Sequence, residues 1–181
     1  MPKFEAIILS GGKGTRVSKF TKKLPKCLID INGKPFLYHQ LKFLKKNNID
    51  NIIISVGYFA QKVREYVKHN IDFINIKIIE DGTKLLGTGG AVLKSTKFLK
   101  TNFFVIYGDS YLNFDLKKLK KNNNIVNMAI YKNNNMFDKS NILLKSKNKV
   151  FYYKNNINKN LRYIDYGVSY VNKIVFKEKK K

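Results

Sequence analysis

The sequence predicts an α/β fold in which a mainly parallel, doubly wound sheet carries helices on both faces. Short apolar runs alternate with segments whose apolar residues recur at helical spacing, and this alternation is typical of parallel sheets. Several of the runs are apolar almost throughout, as expected of strands that are buried on both sides. The chain has 181 residues, of which 44% are hydrophobic, and this suits one globular domain with a sizeable core.

The first part of the chain supplies two strands and two helices. The apolar run Phe4–Ser10 is predicted to be a strand that ends in a glycine-rich turn. A helix is predicted over Pro35–Asn47, because proline is favoured in the first helical turn and apolar residues follow at helical spacing. The run Asn51–Gly57 predicts a second buried strand, and Ala60–Lys68 predicts a short amphipathic helix.

The middle of the chain continues this alternation. Ile74–Glu80 has the pattern of a strand, and Gly89–Leu99 predicts a helix after the loop DGTKLLGT. Phe103–Gly108 is a further buried run, and Asp109 follows it directly. We expect these elements to extend the parallel sheet.

The last third of the chain changes character, because strands follow one another without helices between them. Strands are predicted over Val126–Tyr131, Ile142–Lys145, Val150–Lys154 and Ile164–Val171, with KSKNKV as a hairpin turn. They indicate an antiparallel or mixed edge on the parallel core. No repeat or linker divides the chain, so residues 1–176 are assigned to a single domain and residues 177–181 to a basic tail.

The chain is strongly basic, with a formal net charge of +24 from 36 basic and 12 acidic residues. Such a charge is one indication of nucleic-acid binding. However, only Arg16, Arg64 and Arg162 are arginines, and lysine is poor at the bidentate recognition of bases that arginine performs. We therefore favour a lysine-rich background composition and expect no specific nucleic-acid partner, although nonspecific binding of polyanions at low salt is expected.

Cys27 is the single cysteine, which excludes an internal disulfide framework and indicates a reducing cytoplasm. A structural zinc site lacks the necessary cysteine and histidine spacing. No run approaches 18 consecutive apolar residues, and the first residues lack the layout of a signal peptide. We therefore expect a cytoplasmic protein without a membrane partner.

The stretch LSGGKGTR places three glycines directly after the first strand. Glycines allow positive φ and let a ligand approach bare backbone N–H groups, which suits phosphate oxygens. The spacing matches neither the P-loop nor the dinucleotide-binding fingerprint, and a purely structural turn is an equal alternative for the glycines alone. Arg16 offers a planar fork of donors that matches phosphate, and Pro25 restrains the loop that carries Lys26. Together these residues indicate a place where a triphosphate could lie.

Four segments in this order resemble the signature of nucleotidyltransferases that act on sugar 1-phosphates. They are GGKGTR, the PK pair at Pro25–Lys26, LGTGGA at Leu86–Ala91 and YGD at Tyr107–Asp109. LGTGGA and INGKPFLYHQLKFL look closest to the branch that transfers guanylyl groups to heptose or mannose 1-phosphate. PKCL also resembles phosphocholine cytidylyltransferases, but those lack an LGTGGA loop. The resemblance implies a three-layer Rossmann-like nucleotide-diphospho-sugar transferase fold, with a mostly parallel mixed sheet and helices on both faces.

The resemblance also implies a reaction in which an NTP and a sugar 1-phosphate give an NDP-sugar and pyrophosphate, for the synthesis of cell-surface polysaccharide precursors. In the implied roles, Arg16 braces the departing pyrophosphate, Lys26 bridges the attacking phosphate and the α-phosphate, and Asp109 binds Mg²⁺. Backbone groups of the glycine turn hold the triphosphate, and the LGTGGA loop lies against base and ribose. The implied nucleotide-binding positions are Leu9, Gly11, Gly12, Gly14, Thr15, Gly87, Thr88 and Gly108.

The chain departs from the family's pattern in two places. The sugar pocket of the family usually has an asparagine in a segment like NAG, whereas here the matching residues are Asp165 and Gly167 in IDYG. Family members also generally continue to a second acidic metal ligand, whereas this chain stops at Lys181 in a lysine run, either naturally minimal or truncated. We therefore expect weak or absent turnover relative to a full-length relative.

Several alternatives to a sugar-phosphate guanylyltransferase are left open. The fold could bind nucleotide without turning over, or transfer cytidylyl groups to phosphocholine, or, least favoured, bind nucleic acid. The nucleobase, the sugar and the formation of a homo-oligomer are not decided by the sequence.

Overall fold

The computed structural model describes residues 4–12, 24–82, 85–120, 124–153 and 161–176. Three predicted site residues, Gly14, Thr15 and Arg16, lie outside these ranges, as does the predicted basic tail. The strands and helices in chain order are β1 (Phe4–Ser10), β2 (Asp30–Ile31), β3 (Lys34–Pro35), α1 (Phe36–Lys46), β4 (Ile49–Val56), α2 (Ala60–Asn70), β5 (Asn75–Glu80), α3 (Gly87–Thr96), β6 (Phe103–Tyr107), β7 (Val126–Lys132), β8 (Ile142–Leu144), β9 (Val150–Tyr152) and β10 (Tyr163–Val171).

The parallel half of the sheet has the strand order β5-β4-β1-β6, with each neighbouring pair parallel. Ile7 of β1 lies between Ile53 of β4 and Val105 of β6, so apolar residues face each other across the ladder. The chain builds outward from β1 to β4 and β5, and then returns to place β6 on the other side of β1. This reversal is a topological switch point, where α/β folds commonly bind ligands.

Helices cover both faces of the parallel strands, which confirms the expected three-layer arrangement. On one face, Leu37, Leu41 and Leu44 of α1 and Val63 of α2 join the larger buried cluster. On the opposite face, Val92 of α3 packs into a second cluster with β1, β4, β5 and β6. β1, β4 and β6 are therefore covered from both sides, which explains their nearly continuous apolar sequences, whereas the edge strand β5 alternates between exposed and less exposed residues.

The antiparallel half begins at β10, which pairs with β6 through Val168↔Ile106. β7 lies along the other edge of β10, and the β8–β9 hairpin meets the first residue of β10. The pairing of β10 with β7 shifts between Asp165 and Ser169, where Gly167 adopts φ +88°. The expected mixed edge is thus confirmed.

Two local features differ from the sequence expectation. The helix predicted over Gly89–Leu99 runs from Gly87 to Thr96, and Gly87 opens it with φ +67°. The β2–β3 hairpin was not predicted, because two-residue strands are too short to show a period. Its turn residues, Asn32 and Gly33, both have positive φ, and an Asn-Gly pair is a strong hairpin signal that was available.

The remaining boundaries agree with the expectation within a few residues. The KSKNKV segment makes the expected turn between β8 and β9, with Lys147 and Asn148 at positive φ. None of the helices in the described ranges is long and apolar enough to cross a bilayer.

Candidate active site

A cavity of about 350 Å³ opens at the carboxyl ends of β1, β4 and β6, at the switch point of the sheet. Because parallel strands end at a common edge, residues from distant parts of the chain meet there. Eight of the predicted site residues line the cavity: Leu9, Gly11, Gly12, Lys26, Gly87, Thr88, Gly108 and Asp109.

Glycines allow the strand ends to approach one another closely at the cavity floor. A Cβ on Gly108 would lie 2.2 Å from Ser10 Oγ and 2.8 Å from the carbonyl oxygen of Leu9. A Cβ on Gly57 would lie 2.7 Å from the carbonyl oxygen of Gly11. Gly12 is different, because no atom of the described residues is recorded within 4 Å of its ideal Cβ. Its backbone therefore faces open space in which a ligand could sit.

Lys26 and Asp109 meet at the rim of the cavity. Pro25 is extended, with φ −67° and ψ 148°, and a 3₁₀ turn over Lys26–Leu28 follows it. Buried side chains of Cys27 and Leu28 anchor this turn, and Lys26 Nζ lies 3.0 Å from Asp109 Oδ2. The two side chains are 31% and 52% exposed, so both remain within reach of a ligand.

Asp81 is a cavity residue that the sequence analysis did not identify. It directly follows β5 and is 8% exposed, and its Oδ1 accepts a hydrogen bond from the Ser55 hydroxyl at 3.4 Å. The backbone N–H of Leu86 donates to its Oδ2 at 3.2 Å. Asp81 thereby fixes the segment that leads to Gly87 and Thr88. An acidic residue directly after a strand was the available signal for it.

The predicted sugar-side residues Asp165 and Gly167 do not line the cavity but contact a residue that does. Tyr107 donates its hydroxyl to Asp165 Oδ2 at 2.9 Å, and the backbone N–H of Gly167 donates to Asp165 Oδ1 at 2.8 Å. Tyr107 itself lines the cavity. The Asp165 carboxylate therefore lies one side chain away from the cavity wall and is oriented by two donors.

Cys27 lines the cavity but is not suited to nucleophilic chemistry. Burial raises the pKa of its thiol to about 11. The thiol therefore stays protonated at neutral pH, whereas the thiolate is the nucleophilic form.

Asp109 has the chemistry expected of a Mg²⁺ ligand that works together with substrate phosphates. Within the described part of the chain, no cluster of three or more His, Cys, Asp or Glu side chains could hold a metal by itself. Mg²⁺ commonly binds one or two carboxylates together with phosphates and water, so the single exposed carboxylate of Asp109 fits the role that the resemblance implies.

Comparison with known proteins gives one family and several similar chains. A model of the nucleotidyl transferase family matches residues 5–136. The chain is 41% identical over 136 residues to D-glycero-α-D-manno-heptose 1-phosphate guanylyltransferase of Campylobacter jejuni, covering 75% of this chain and 60% of that protein. It is 38% identical over 117 residues to the enzyme of the same name from Aneurinibacillus thermoaerophilus, covering 64% of this chain and 50% of that protein.

A solved structure extends the similarity over nearly the whole chain. The structure of HddC from Yersinia pseudotuberculosis, complexed with GMP-PN, superposes with a TM-score of 0.78 at 25% sequence identity. The match covers 98% of this chain and 80% of that one. The chain spans only 60% and 50% of the two curated relatives described above. The family match nevertheless covers most of its residues, and the chain belongs to the nucleotidyl transferase family.

Proposed function

We propose that this chain transfers a nucleotidyl group from an NTP to a sugar 1-phosphate, with GTP and heptose or mannose 1-phosphate as the favoured substrates. The observation that carries the proposal is the meeting of Lys26, Asp109 and bare glycine backbone in one cavity at the switch point of the sheet. The names of the two heptose 1-phosphate guanylyltransferases support the choice of guanine and heptose.

The reaction requires little proton transfer, because the second pKa of a phosphate is about 6 and the attacking oxygen is already ionised. Its main barrier is the repulsion between two anionic substrates, so positioning and charge neutralisation are the useful contributions. Lys26 can leave Asp109 and bridge the attacking phosphate and the α-phosphate. Asp109 would hold Mg²⁺, which neutralises phosphate charge when bound.

The nucleotide would lie across the cavity floor. Backbone N–H groups of Gly11 and Gly12 would donate to the triphosphate, and Gly87 and Thr88 would lie against base and ribose. Leu85 and Ala91 add apolar surface suited to a planar base. In the same proposal, Gly14, Thr15 and Arg16 hold the triphosphate and the departing pyrophosphate, although these residues lie outside the described ranges.

The sugar would lie on the β10 side of the cavity. Asp165 is held by Tyr107 and Gly167, and its carboxylate would accept hydrogen bonds from sugar hydroxyls, in the place of the amide that the family usually has.

The single cysteine suggests a reducing cytoplasm as the compartment. A cytoplasmic location also agrees with a supply of nucleoside triphosphates.

A second candidate is a nucleotide-binding homologue with weak or no turnover. The absence of a three-ligand cluster in the described ranges is the observation behind it, because a metal at Asp109 would then depend on substrate phosphates and water for its other ligands. In one pyrophosphate-release assay, we expect a specific activity below that of the Campylobacter jejuni relative. Equal specific activity of the two proteins would contradict this candidate.

The proposed function is tested by a matrix of four NTPs against heptose, mannose and glucose 1-phosphates and phosphocholine, with pyrophosphate release as the readout. We expect the highest release with GTP and heptose or mannose 1-phosphate, and a collapse of that release in Asp109→Ala. Asp50→Ala is the matched control, because Asp50 pairs with Lys45 on the surface at 2.7 Å.

The other outcomes of the matrix assign the alternatives. Release with CTP and phosphocholine alone would indicate a cytidylyltransferase. If no pair gives release, but Mg²⁺ and GTP raise the melting temperature and Asp109→Ala removes that shift, the chain is a nucleotide-binding homologue. Neither release nor stabilisation by any NTP would overturn the proposed function.

A further inference from the structure

Gln40 lies beneath the turn that carries Asp109, although it belongs to a different layer of the fold. It sits in α1 and is 5% exposed. Its side-chain Nε2 donates to the carbonyl oxygens of Tyr107 at 3.0 Å and Ser110 at 3.3 Å. These two carbonyls bracket Gly108 and Asp109. One amide group therefore spans the base of the turn.

Core packing alone does not explain an amide at this position. The other buried residues of α1 are Leu37, Leu41 and Leu44, which fill the same layer with apolar groups. In contrast, Gln40 buries an Oε1 atom that has no hydrogen-bond partner among the described residues. A buried acceptor without a partner is unfavourable, and an apolar side chain would avoid that cost. The amide is therefore better explained by the two bonds that its nitrogen makes to the turn.

The direction of the Asp109 side chain depends on the backbone of this turn. Asp109 is half exposed, and among the described residues its carboxylate pairs with Lys26 at the rim, a bond that substrates would break. Within the turn, Ser110 N–H donates to Tyr107 O at 3.2 Å, and Gly108 N–H donates to Leu9 O at 2.9 Å. Gln40 adds the bond that ties Ser110 O to the helix layer.

We propose that Gln40 is a positioning residue that holds the Gly108–Asp109 turn so that the Asp109 carboxylate faces the phosphate site. This inference rests on the proposed role of Asp109 as the Mg²⁺ ligand. Gln40 does not touch substrate or metal, and it acts only through the two carbonyls. Its loss should weaken metal-dependent binding of nucleotide and leave metal-free binding intact.

Calorimetric titration with GTP separates these effects when it is run once with EDTA and once with excess Mg²⁺. For each protein, the dissociation constant in EDTA divided by that in Mg²⁺ gives the contribution of the metal to GTP binding. We expect Gln40→Met to reduce this ratio by about tenfold, as is typical when the support of a metal ligand is removed. Its affinity in EDTA should equal that of the unaltered chain. Asp109→Asn should bring the ratio to about one.

Two further variants make the test specific. Gln61→Met is the matched control, because Gln61 is an exposed helical glutamine that donates to Glu65 on the helix surface, and its ratio should be unchanged. Gln40→Leu is measured in parallel as a second apolar replacement. Thermal unfolding without ligand identifies which variants are folded.

Four results would overturn the inference. A full metal contribution in folded Gln40→Met or Gln40→Leu would show that the turn does not need the amide. An equal loss of affinity in EDTA and in Mg²⁺ would indicate general damage to the cavity, and so would failure of both variants to fold. If the unaltered chain gains nothing from Mg²⁺, the metal role of Asp109 fails first, and the inference fails with it.

Discussion

Lys26 and Asp109 form an ion pair, but the proposed reaction uses both charged groups for other contacts. In that proposal Lys26 contacts the substrate phosphates and Asp109 holds Mg²⁺. Because both side chains are partly exposed, the pair itself contributes little to stability. The free energy needed to separate them is correspondingly small. Bound phosphates can therefore draw Lys26 away from Asp109, and the Asp109 carboxylate can then bind a metal cation instead.

Replacement of Lys26 tests this role at the scale of one residue. We expect Lys26→Ala to lower kcat/KM for the sugar 1-phosphate by about 100-fold or more, because a charge-stabilising donor is removed where two anions meet. The melting temperature should change little, because the pair is exposed. Pyrophosphate release at varied sugar 1-phosphate gives the measurement.

Lys45→Ala is the control for that substitution, because Lys45 makes a comparable ion pair with Asp50 far from the cavity. It should keep the kinetic constants of the unaltered chain. A kcat/KM for Lys26→Ala within a factor of about two of the unaltered chain would exclude Lys26 from the reacting phosphates.

At the scale of the elements, the end of β1 fits tightly against the turn after β6. A methyl group at Gly108 would overlap Ser10 Oγ and approach the backbone of Leu9, which is rigid. We expect Gly108→Ala to destabilise the fold by about 1–3 kcal/mol, the usual cost of an overpacked core site. Urea unfolding at neutral pH measures this change.

The paired substitution Gly89→Ala should have the opposite sign. Gly89 lies inside α3, and among the described residues outside its own helical turn no atom is recorded within 4 Å of its ideal Cβ. Because alanine is a better helix former than glycine, we expect a gain of about 0.5–1 kcal/mol. Destabilisation by Gly89→Ala, together with an unchanged Gly108→Ala, would contradict the described arrangement of the two elements.

Glu5 connects β1 to the segment before β6 through a buried carboxylate. It is 5% exposed, and its Oε2 accepts the backbone N–H groups of Lys100 and Thr101, both at 2.7 Å. Burial alone would raise the pKa of Glu5, but these bonds, together with those from the side chains of Asn51 and Thr101, lower it below the ordinary value of 4.5. The resulting stabilisation is complete above the ordinary pKa and is lost as pH falls through the lower folded pKa.

We therefore expect the free energy of unfolding to decrease as pH falls from about 5 to 3, and Glu5→Gln to remove part of that decrease. The variant should also be less stable at neutral pH, because a neutral amide replaces a charged acceptor. Urea unfolding across this pH range supplies the data. Glu65→Gln, at an exposed carboxylate that accepts only from Gln61, should keep the original acid slope. If Glu5→Gln keeps the same dependence of the free energy of unfolding on pH, Glu5 does not contribute to acid destabilisation.

At the scale of the whole molecule, the net charge of +24 comes from basic residues that are nearly all lysine, since only three of the 36 are arginine. Long-range attraction of polyanions is expected from such a charge, and it should be strongly screened by salt. We expect the chain to bind RNA and heparin at low ionic strength and to release both at physiological salt. Fluorescence anisotropy with a labelled RNA of mixed sequence, titrated with salt, tests this.

Asp109→Ala should bind the RNA as the unaltered chain does, because the attraction does not involve the cavity. Binding that persists at physiological salt with a preference for one RNA sequence would instead support a nucleic-acid function. That result would revive the alternative that the sequence analysis favoured least.

The positions of the strands and of most helices along the chain could be predicted because their signals are local. The apolar composition of a buried strand such as β1 is visible in the sequence, and α1 is indicated by the helical spacing of its apolar residues and by Pro35. The contacts of Asp81 with Ser55 and of Gln40 with Tyr107 could not be predicted in the same way, because each joins residues that are far apart in the sequence. The switch point likewise depends on strand order, which the sequence pattern leaves undetermined.

The shift in pairing between β10 and β7 has a consequence for insertions and deletions. Asp165 pairs with Ile130 and Ser169 with Met128, so three residues of β10 lie opposite Ala129 alone. Two residues are therefore surplus, and an even surplus keeps Asp165 and Ser169 on the same side of the sheet. Loss of a single residue between Asp165 and Ser169 would move the Asp165 carboxylate to the opposite face of the sheet. Natural variation in length at this point should therefore occur in steps of two.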